Sequence, residues 1–280
     1  MDPLFCRDVG AGHPIVVVHG GPDFDHSYFL PELDRLADSF RLLYYDQRGR
    51  GRSAEGVRPE DVTLTSELDD LDAVRRGSGL ESAAVLGHSW GGVLAMAYAI
   101  RQPGRVSHLI LLDTGPASAG DWRFLREELV RRRDPRDQDE MNAIAATDAY
   151  ARGDLEAEAE YYRRHFRMTL RDSELLEALV ARLRANFTED GVVLARTIEH
   201  RLYDETSRAP GWDLFPRLRE LNVPTLLLHG EHDFVPVELV ARIADAVPGA
   251  RLTVLPACGH FTYLEAPDAV YDEVTRFLSP

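Results

Sequence analysis

The chain repeats one pattern, in which a short run of apolar residues is followed by a stretch with helical periodicity. Each run has about four residues, and none alternates polar with apolar residues. Strands of a parallel sheet have this composition because helices cover both of its faces. The pattern therefore predicts an α/β fold with a mostly parallel central sheet flanked by helices. The predicted strands are 15–18, 42–45, 83–86, 109–112, 225–228 and 252–255.

One interval breaks this alternation. Strand-like runs stop after Asp113 and resume at Thr225, and between them apolar residues recur at helical spacing. Gly-Pro at 115–116 and Ala-Pro-Gly at 209–211 are typical of the loops that leave and re-enter a domain. We therefore expect residues 1–114 and 211–280 to form an α/β core, and residues 115–210 to form a helical insertion on that core.

The amino-acid composition excludes several classes of enzyme and of binding protein. All 32 basic residues are arginine, and the absence of lysine excludes Schiff-base enzymes, pyridoxal-phosphate enzymes and P-loop ATPases. A formal net charge of −15 argues against binding to nucleic acid or to an anionic membrane. Two cysteines cannot build a disulfide framework, and neither a signal peptide nor an apolar run long enough for a membrane helix is visible. We expect a soluble, cytoplasmic protein.

The strongest functional signal is the hexapeptide Gly-His-Ser-Trp-Gly-Gly at 87–92. It follows a predicted strand and precedes a helical pattern. In that context G-x-S-x-G forms a sharp turn that exposes a nucleophilic serine. The helix N-terminus beyond it favours developing negative charge. Ser89 is therefore the predicted nucleophile.

A serine nucleophile requires a base and an acid that orients the base. Asp233 lies just beyond the 225–228 run and His260 just beyond the 252–255 run, in the order Ser…Asp…His that commonly follows this motif. We assign Asp233 as the acid and His260 as the base. Glu231 and Asp113 remain alternatives for the acid, because each also lies at the end of a strand.

Two other readings of these residues are weaker. His229, Glu231, His232 and Asp233 have metal-ligating side chains, but neighbouring side chains on an extended segment point to opposite faces. Cys258 precedes the histidine by two positions and is better explained as a small buried side chain than as a nucleophile. We therefore expect neither a metal nor another cofactor.

A third element supplies backbone donors. The sequence His-Gly-Gly-Pro at 19–22 follows the 15–18 run, where this type of site takes one of its two oxyanion-binding amides, the other coming from the residue after the nucleophile. We assign these two amides to Gly21 and Trp90. Pro22 has no N–H, and His19 is expected to be structural.

These segments, together with Asp-Gln-Arg-Gly-Arg-Gly-Arg-Ser at 46–53, resemble the proline iminopeptidase branch of the α/β-hydrolase superfamily. The resemblance covers about residues 4–114 and 212–280. It implies an α/β-hydrolase fold with a helical cap inserted after the sixth strand. It also implies cofactor-free release of an N-terminal residue, often proline, from short peptides, with 46–53 as a turn that shapes the floor of the site.

An aminopeptidase needs a carboxylate facing the substrate's amine, whose pKa of about 7.7–8.0 keeps it largely cationic at neutral pH. The stretch 195–200 is similar to the cap segment that carries such a glutamate in the family, which makes Glu199 the candidate and Glu205 the reserve. Two positions depart from the family pattern. Asp23 replaces the last glycine of His-Gly-Gly-Pro-Gly, and Phe234 stands where some relatives have an acidic residue.

The sequence thus predicts a serine hydrolase that releases N-terminal proline or another small residue from a short peptide. The main alternative is a carboxylesterase, amidase or lactonase acting on a small apolar acyl group, for which Glu199 would be irrelevant. An acyltransferase, or a binding protein that has lost its activity, are further alternatives, because fold alone does not define function.

Overall fold

The computed structural model describes residues 4–279. A seven-stranded sheet has the order β1-β3-β2-β4-β5-β6-β7, with β1 antiparallel to β3 and every other pairing parallel. The strands are β1 (Cys6–Gly10), β2 (His13–Val18), β3 (Phe40–Tyr45), β4 (Ala83–His88), β5 (Val106–Leu112), β6 (Thr225–Gly230) and β7 (Arg251–Leu255). The predicted α/β class and all six predicted strands are confirmed. β1 was not predicted.

Helices flank the sheet and fill the interval between β5 and β6. The α-helices are α1 (Leu64–Gly77), α2 (Trp90–Arg101), α3 (Ala119–Arg132), α4 (Pro135–Ala145), α5 (Asp148–Ala151), α6 (Leu155–Phe166), α7 (Leu176–Leu183), α8 (Glu189–Glu205), α9 (Phe215–Leu218), α10 (Val237–Ala246), α11 (Thr262–Glu265) and α12 (Pro267–Leu278). Short 3₁₀ helices cover His26–Phe29, Glu32–Asp38, Gly51–Ser53, Pro59–Asp61, Pro103–Arg105 and Ser173–Leu175. Within residues 4–279, no helix combines the length and apolar character needed to cross a membrane.

The sheet separates two apolar cores, which explains the uniformly apolar strands. Along β2, Val16 and Val18 face one core while Ile15 and Val17 face the other. The expectation of burial on both faces is wrong for the 252–255 run. Within residues 4–279 it forms β7, which pairs with β6 alone at the edge of the sheet, and Val254 is 38% exposed.

The helical insertion follows β5, so the described chain has five strands before it rather than the six that the resemblance implied. The reason is that residues 4–12 have room for one strand before β2. The two ends of the insertion meet at a bridge between Ser118 and Asp213, supported by a hydrogen bond from the Ala119 N–H to the Trp212 carbonyl at 2.9 Å.

Parallel pairing brings the carboxyl ends of β2, β4, β5, β6 and β7 to one edge of the sheet. The loops that leave these strands carry the side chains singled out by the sequence. Such edges are where open α/β sheets bind ligands. The fold therefore collects residues far apart in the chain into one place.

Candidate active site

Ser89 occupies a sharp turn between β4 and α2. Its backbone has φ 54° and ψ −118°, a conformation that side-chain-bearing residues rarely adopt. Glycines permit the turn, because a Cβ at Gly87 would lie 2.2 Å from the Gly91 carbonyl oxygen and one at Gly91 would lie 2.1 Å from that of Val18. The Ser89 N–H donates to the Leu112 carbonyl at 3.1 Å, which fixes the turn to the neighbouring strand.

Ser89, His260 and Asp233 form a continuous chain of hydrogen bonds. His260 Nε2 lies 2.9 Å from Ser89 Oγ, and His260 Nδ1 lies 2.9 Å from each carboxylate oxygen of Asp233. Asp233 and His260 are both buried. The His260 backbone N–H donates to the Thr169 carbonyl at 2.8 Å, and the Phe234 ring packs 4.2 Å from the imidazole, centroid to centroid.

The protonation state of His260 suits a base. Burial lowers the pKa of His260, so the imidazole is neutral at neutral pH. Because Asp233 can only accept when ionised, the imidazole proton lies on Nδ1 and the Nε2 lone pair faces the serine hydroxyl. Burial raises the pKa of Asp233, while His229 and the Val235 backbone N–H act in the opposite direction.

The two alternative acids do not reach the His260 ring. Asp113 instead accepts from the Gly230 N–H at 3.1 Å and from the Thr262 N–H and hydroxyl at 3.0 and 2.7 Å. Glu231 is exposed and pairs with His232 at 3.5 Å. Of the three carboxylates considered from the sequence, the structure brings Asp233 to the imidazole.

The four metal-ligating side chains considered from the sequence do not all come together. His232 and Glu231 are exposed, whereas His229 and Asp233 are buried, so the four residues form no common site. Two buried groups have ligand atoms within 4.8 Å of one another, namely Asp113, His229 and Asp233, and Asp25, His26 and Asp46. Two of their carboxylates already accept hydrogen bonds from outside the group, since Asp233 receives the His260 N–H and Asp46 receives the Arg52 N–H at 3.0 Å.

The backbone N–H groups of Gly21 and Trp90, the two amides assigned from the sequence, lie close to Ser89. Among residues 4–279, neither the Gly21 N–H nor the Trp90 N–H donates a hydrogen bond to another residue. The Gly20 N–H, by contrast, donates to the Tyr28 hydroxyl at 2.8 Å. Gly21 has φ +114°, and a Cβ there would lie 2.2 Å from the Asp23 nitrogen, so only glycine fits.

His88, the residue before the nucleophile, joins the two halves of the site. Its Nε2 lies 2.9 Å from the His260 carbonyl oxygen and therefore carries the proton, which leaves Nδ1 to accept from the Tyr28 hydroxyl at 2.8 Å. Burial lowers the pKa of His88 and keeps it neutral. The sequence analysis missed this link, although His88 occupies a variable position of the G-x-S-x-G motif.

The 46–53 turn supports the loop that carries Gly21. Gln47 Nε2 donates to the His19 carbonyl at 2.7 Å, and Arg50 Nε donates to the Pro22 carbonyl at 2.8 Å. The His19 ring is hydrogen-bonded to backbone groups on both sides. Its Nδ1 donates to the Gly20 carbonyl at 3.0 Å, and its Nε2 accepts from the Gln47 N–H at 3.0 Å. This arrangement supports a structural role for His19 and for the turn.

A cavity of about 740 Å³ lies over Ser89. It is bounded by the loops at the sheet edge and by residues 115–210, the helical insertion, which is called the helical segment from here on. Nine aromatic side chains contribute to its wall, which suits an apolar group on a substrate, and charged side chains contribute to it as well. The aromatic lining residues are Phe24, Trp122, Tyr150, Tyr161, Tyr162, Phe166, Tyr203, Phe234 and Phe261.

Glu199 projects from α8 into this wall and hydrogen-bonds with Tyr203. Burial, reinforced by nearby Asp23, raises the pKa of the Glu199 carboxyl well above its usual value. Glu205, the reserve candidate, does not line the cavity. Its carboxylate instead accepts from the Leu64 N–H at 2.8 Å, because six residues along a helix rotate a side chain about 240° away.

Four charged side chains next to Glu199, at or behind the cavity wall, pair with one another. Arg184 lies 2.5 Å from the Asp23 carboxylate and 2.9 Å from that of Glu158, and Arg196 lies 3.1 Å from Glu158. No arginine or histidine of residues 4–279 forms an ion pair with Glu199 at 4.0 Å or less. Glu199 is therefore the carboxylate of this cluster that lacks a direct cationic partner.

Fold and site together define an enzyme of the α/β-hydrolase class. The sequence model of the alpha/beta hydrolase fold family matches residues 13–267. The chain belongs to this family and is a hydrolase.

The chain is similar in sequence and in structure to several individual hydrolases. The chain is 28% identical to a proline iminopeptidase of Saccharolobus solfataricus over 97% of this chain and 86% of the relative. Among solved structures, it matches proline iminopeptidase from Mycobacterium smegmatis with a TM-score of 0.71 and 26% identity, covering 98% and 94% of the two chains. It also matches a thermophilic esterase from Thermogutta terrifontis with a TM-score of 0.72 and 25% identity, covering 98% and 92%.

Proposed function

We propose that this protein is a serine hydrolase that works through an acyl-enzyme. The observation that carries the proposal is the hydrogen-bonded chain from Ser89 Oγ through His260 to Asp233, at 2.9 Å for each link, on the floor of a large cavity. A nucleophile, a neutral base and an orienting carboxylate in this order are what acyl transfer requires.

In the first step, Ser89 Oγ attacks the substrate carbonyl as His260 Nε2 removes the hydroxyl proton. Asp233 holds the imidazole in the required tautomer and stabilises the imidazolium that forms. The Gly21 and Trp90 amides bind the oxygen as it becomes negative, helped by the N-terminus of α2. His260 then protonates the leaving group, and a water activated by the same histidine releases the acyl group and restores Ser89.

We propose further that the helical segment 115–210 is a cap and that the substrate has a free amine. Glu199 supports this, because it faces the cavity from α8 without an ion-pair partner. A substrate ammonium would supply the missing cation in a site where water is scarce. The favoured reaction is therefore release of an N-terminal proline or another small residue from a short peptide, which agrees with the name proline iminopeptidase given to the relatives above.

An esterase acting on a small apolar acyl group is the second candidate. The aromatic wall of the cavity favours it, and the structural match to an esterase at 25% identity supports it. In this reading the triad is unchanged and Glu199 does not contact substrate.

Hydrolysis of three substrates separates the candidates. Proline β-naphthylamide, its N-acetylated form and p-nitrophenyl butyrate would each be assayed with the wild-type chain. We expect turnover of the free-amine substrate and loss of turnover on acetylation. Cleavage of the ester alone would identify an esterase. Turnover of none of the three, together with no labelling of Ser89 by a fluorophosphonate, would overturn the serine-hydrolase proposal.

A further inference from the structure

The loop that carries Gly21 is held in part by the helical segment. Three successive carbonyls follow the Gly21 amide, and a side chain donates to each. Tyr203 on α8 lies 3.4 Å from the Gly21 oxygen, Arg50 from the core lies 2.8 Å from the Pro22 oxygen, and Arg184 lies 2.5 Å from the Asp23 oxygen. Two of these three donors belong to the helical segment, so the backbone around Gly21 depends on how that segment is seated.

Asp23 makes the strongest of these connections. Arg184, directly after α7, donates through one nitrogen to the Asp23 backbone carbonyl at 2.5 Å and through another to its carboxylate at 2.5 Å. Tyr162 on α6 donates to the same carboxylate at 2.6 Å. Burial alone would raise the pKa of Asp23, but Arg184 and Tyr162 hold it below its usual value.

The Arg184 side chain is itself fixed. Its guanidinium lies 2.9 Å from Glu158 on α6 and stacks 5.0 Å from the centre of the Tyr162 ring and 4.9 Å from that of Phe187. A planar cation held in this way has little freedom, so it can impose a fixed position on Asp23. A glycine at position 23, as in the family motif, would leave the guanidinium without this carboxylate.

We propose that the Asp23–Arg184 pair is a positioning device, through which the helical segment sets the orientation of the Gly21 amide. This inference rests on the proposed role of Gly21 in binding the oxyanion. Asp23 lies two residues from Gly21, with a single proline between them. Movement of the Asp23 backbone therefore turns the Gly21 peptide and shifts its N–H away from the position that the substrate oxygen occupies in the transition state. Closure of the segment would thus complete the oxyanion site as well as enclose the substrate.

The experiment measures whether breaking the pair affects kcat or KM. Asp23→Asn and Arg184→Gln would be assayed singly and together on p-nitrophenyl acetate, a substrate too small to need the segment for binding. We expect kcat to fall 10- to 100-fold, as about 1 Å of misplacement typically causes, with KM within threefold of wild type. The double variant should lose no more than the worse single variant, because the two side chains act as a unit.

Arg167→Gln is the matched control. It breaks the 2.6 Å ion pair between Arg167 and Asp137, which lies inside the helical segment and does not contact the Gly21 loop. It should retain wild-type kcat. A folded Asp23→Asn or Arg184→Gln variant with kcat within twofold of wild type on the acetate ester would overturn the inference. A rise in KM for peptide substrates alone would also overturn it, since this is what a purely structural role in seating the segment predicts.

Two further measurements keep the test decisive. Asp23→Gly combined with Arg184→Gln removes both partners without burying an unpaired charge, and serves if a single variant fails to fold. Arg184→Lys keeps the charge but loses the two-pronged contact, so we expect it to restore stability without restoring kcat. If the wild-type chain itself hydrolyses no ester and no amide, the proposed function fails. If the wild type is active and the variants match it, the positioning inference alone fails.

Discussion

The sheet-edge loops and the helical segment both line the cavity, but they hold their side chains by different means. In the loops, backbone hydrogen bonds to neighbouring strands and turns place the reacting groups, as for the Ser89 N–H on Leu112 at 3.1 Å and the Asp233 N–H on Gly230 at 3.1 Å. In the helical segment, ion pairs and aromatic side chains hold the charged groups: Arg184 pairs with Asp23, and Glu199 hydrogen-bonds with Tyr203. The chemistry should therefore be sensitive to changes in the loops and in the Arg184 contact that holds the Gly21 loop, and substrate choice to changes at Glu199.

The sharpest test of this division is Ser89→Ala. Because every substrate would have to pass through the acyl-enzyme, we expect kcat to fall on the order of 10⁶-fold for both esters and free-amine amides, as in other serine triads. Steady-state kinetics on both substrate types would measure it. Ser39→Ala, which removes an exposed hydroxyl hydrogen-bonded to Tyr271 at 2.9 Å, should have no effect on kcat. Retention of most activity by Ser89→Ala would remove it from the role of nucleophile.

Asp233→Asn should have the next largest effect. The amide cannot accept the Nδ1 proton in the same way, which favours the wrong tautomer of His260, so we expect a loss of about 10⁴-fold in kcat, similar for both substrate types. The loss would be measured beside Asp113→Asn, since Asp113 is the other buried carboxylate near this edge. A larger loss in Asp113→Asn than in Asp233→Asn would reassign the acid.

Glu199→Gln should distinguish the two regions, since it alters the helical segment alone. We expect kcat/KM for a free-amine substrate to fall 10- to 100-fold. This is the loss that corresponds to the free energy of one charge-assisted hydrogen bond, about 1.5–3 kcal/mol. Hydrolysis of p-nitrophenyl butyrate should change less than twofold. Glu205→Gln on the same helix is the control and should leave both unchanged. Equal losses on ester and amine would mean that Glu199 supports the fold rather than the substrate.

The pH dependence of kcat/KM should differ between an ester, which needs the triad alone, and a free-amine substrate, which also needs Glu199. The ester requires neutral His260, whose pKa is lowered, and ionised Asp233, whose pKa burial raises to about 7, so the acid limb of its kcat/KM should lie near pH 7. A free-amine substrate also requires ionised Glu199, whose pKa is raised, so affinity is lost as pH falls through that value and the acid limb moves to higher pH. Its alkaline limb should follow the amine, near pH 7.7–8.0. Superimposable acid limbs for the two substrates would contradict a role for Glu199.

The sequence predicted most of the fold because the central strands are buried on both faces and have a strong local signature. β1 has no such signature, since Cys6–Gly10 lies at the sheet edge with exposed residues alternating along it. Ser89, Asp233 and His260 could be predicted to lie together because each follows a recognisable strand, and the parallel sheet brings the ends of those strands to one edge.

Contacts that depend on how the helical segment packs on the core could not be predicted from the sequence. Arg184 lies 161 residues from Asp23 and belongs to no motif, so their contact follows only from how the helical segment sits on the core. Asp23 was visible as a departure from the family pattern, but its partner was not. The exclusion of Glu205 from the cavity, in contrast, follows from helical periodicity once α8 is known to include both glutamates.

The left-handed backbone of Ser89 implies that this residue lowers the stability of the chain that contains it. Strain of this kind typically costs about 1–3 kcal/mol, and glycine relieves it because it has no Cβ. Ser89→Gly should therefore unfold at higher denaturant concentration than Ser89→Ala, with a free energy of unfolding greater by about 1 kcal/mol, although neither has a nucleophile. Selection for stability alone would favour glycine at position 89, so the serine there reflects a requirement for activity.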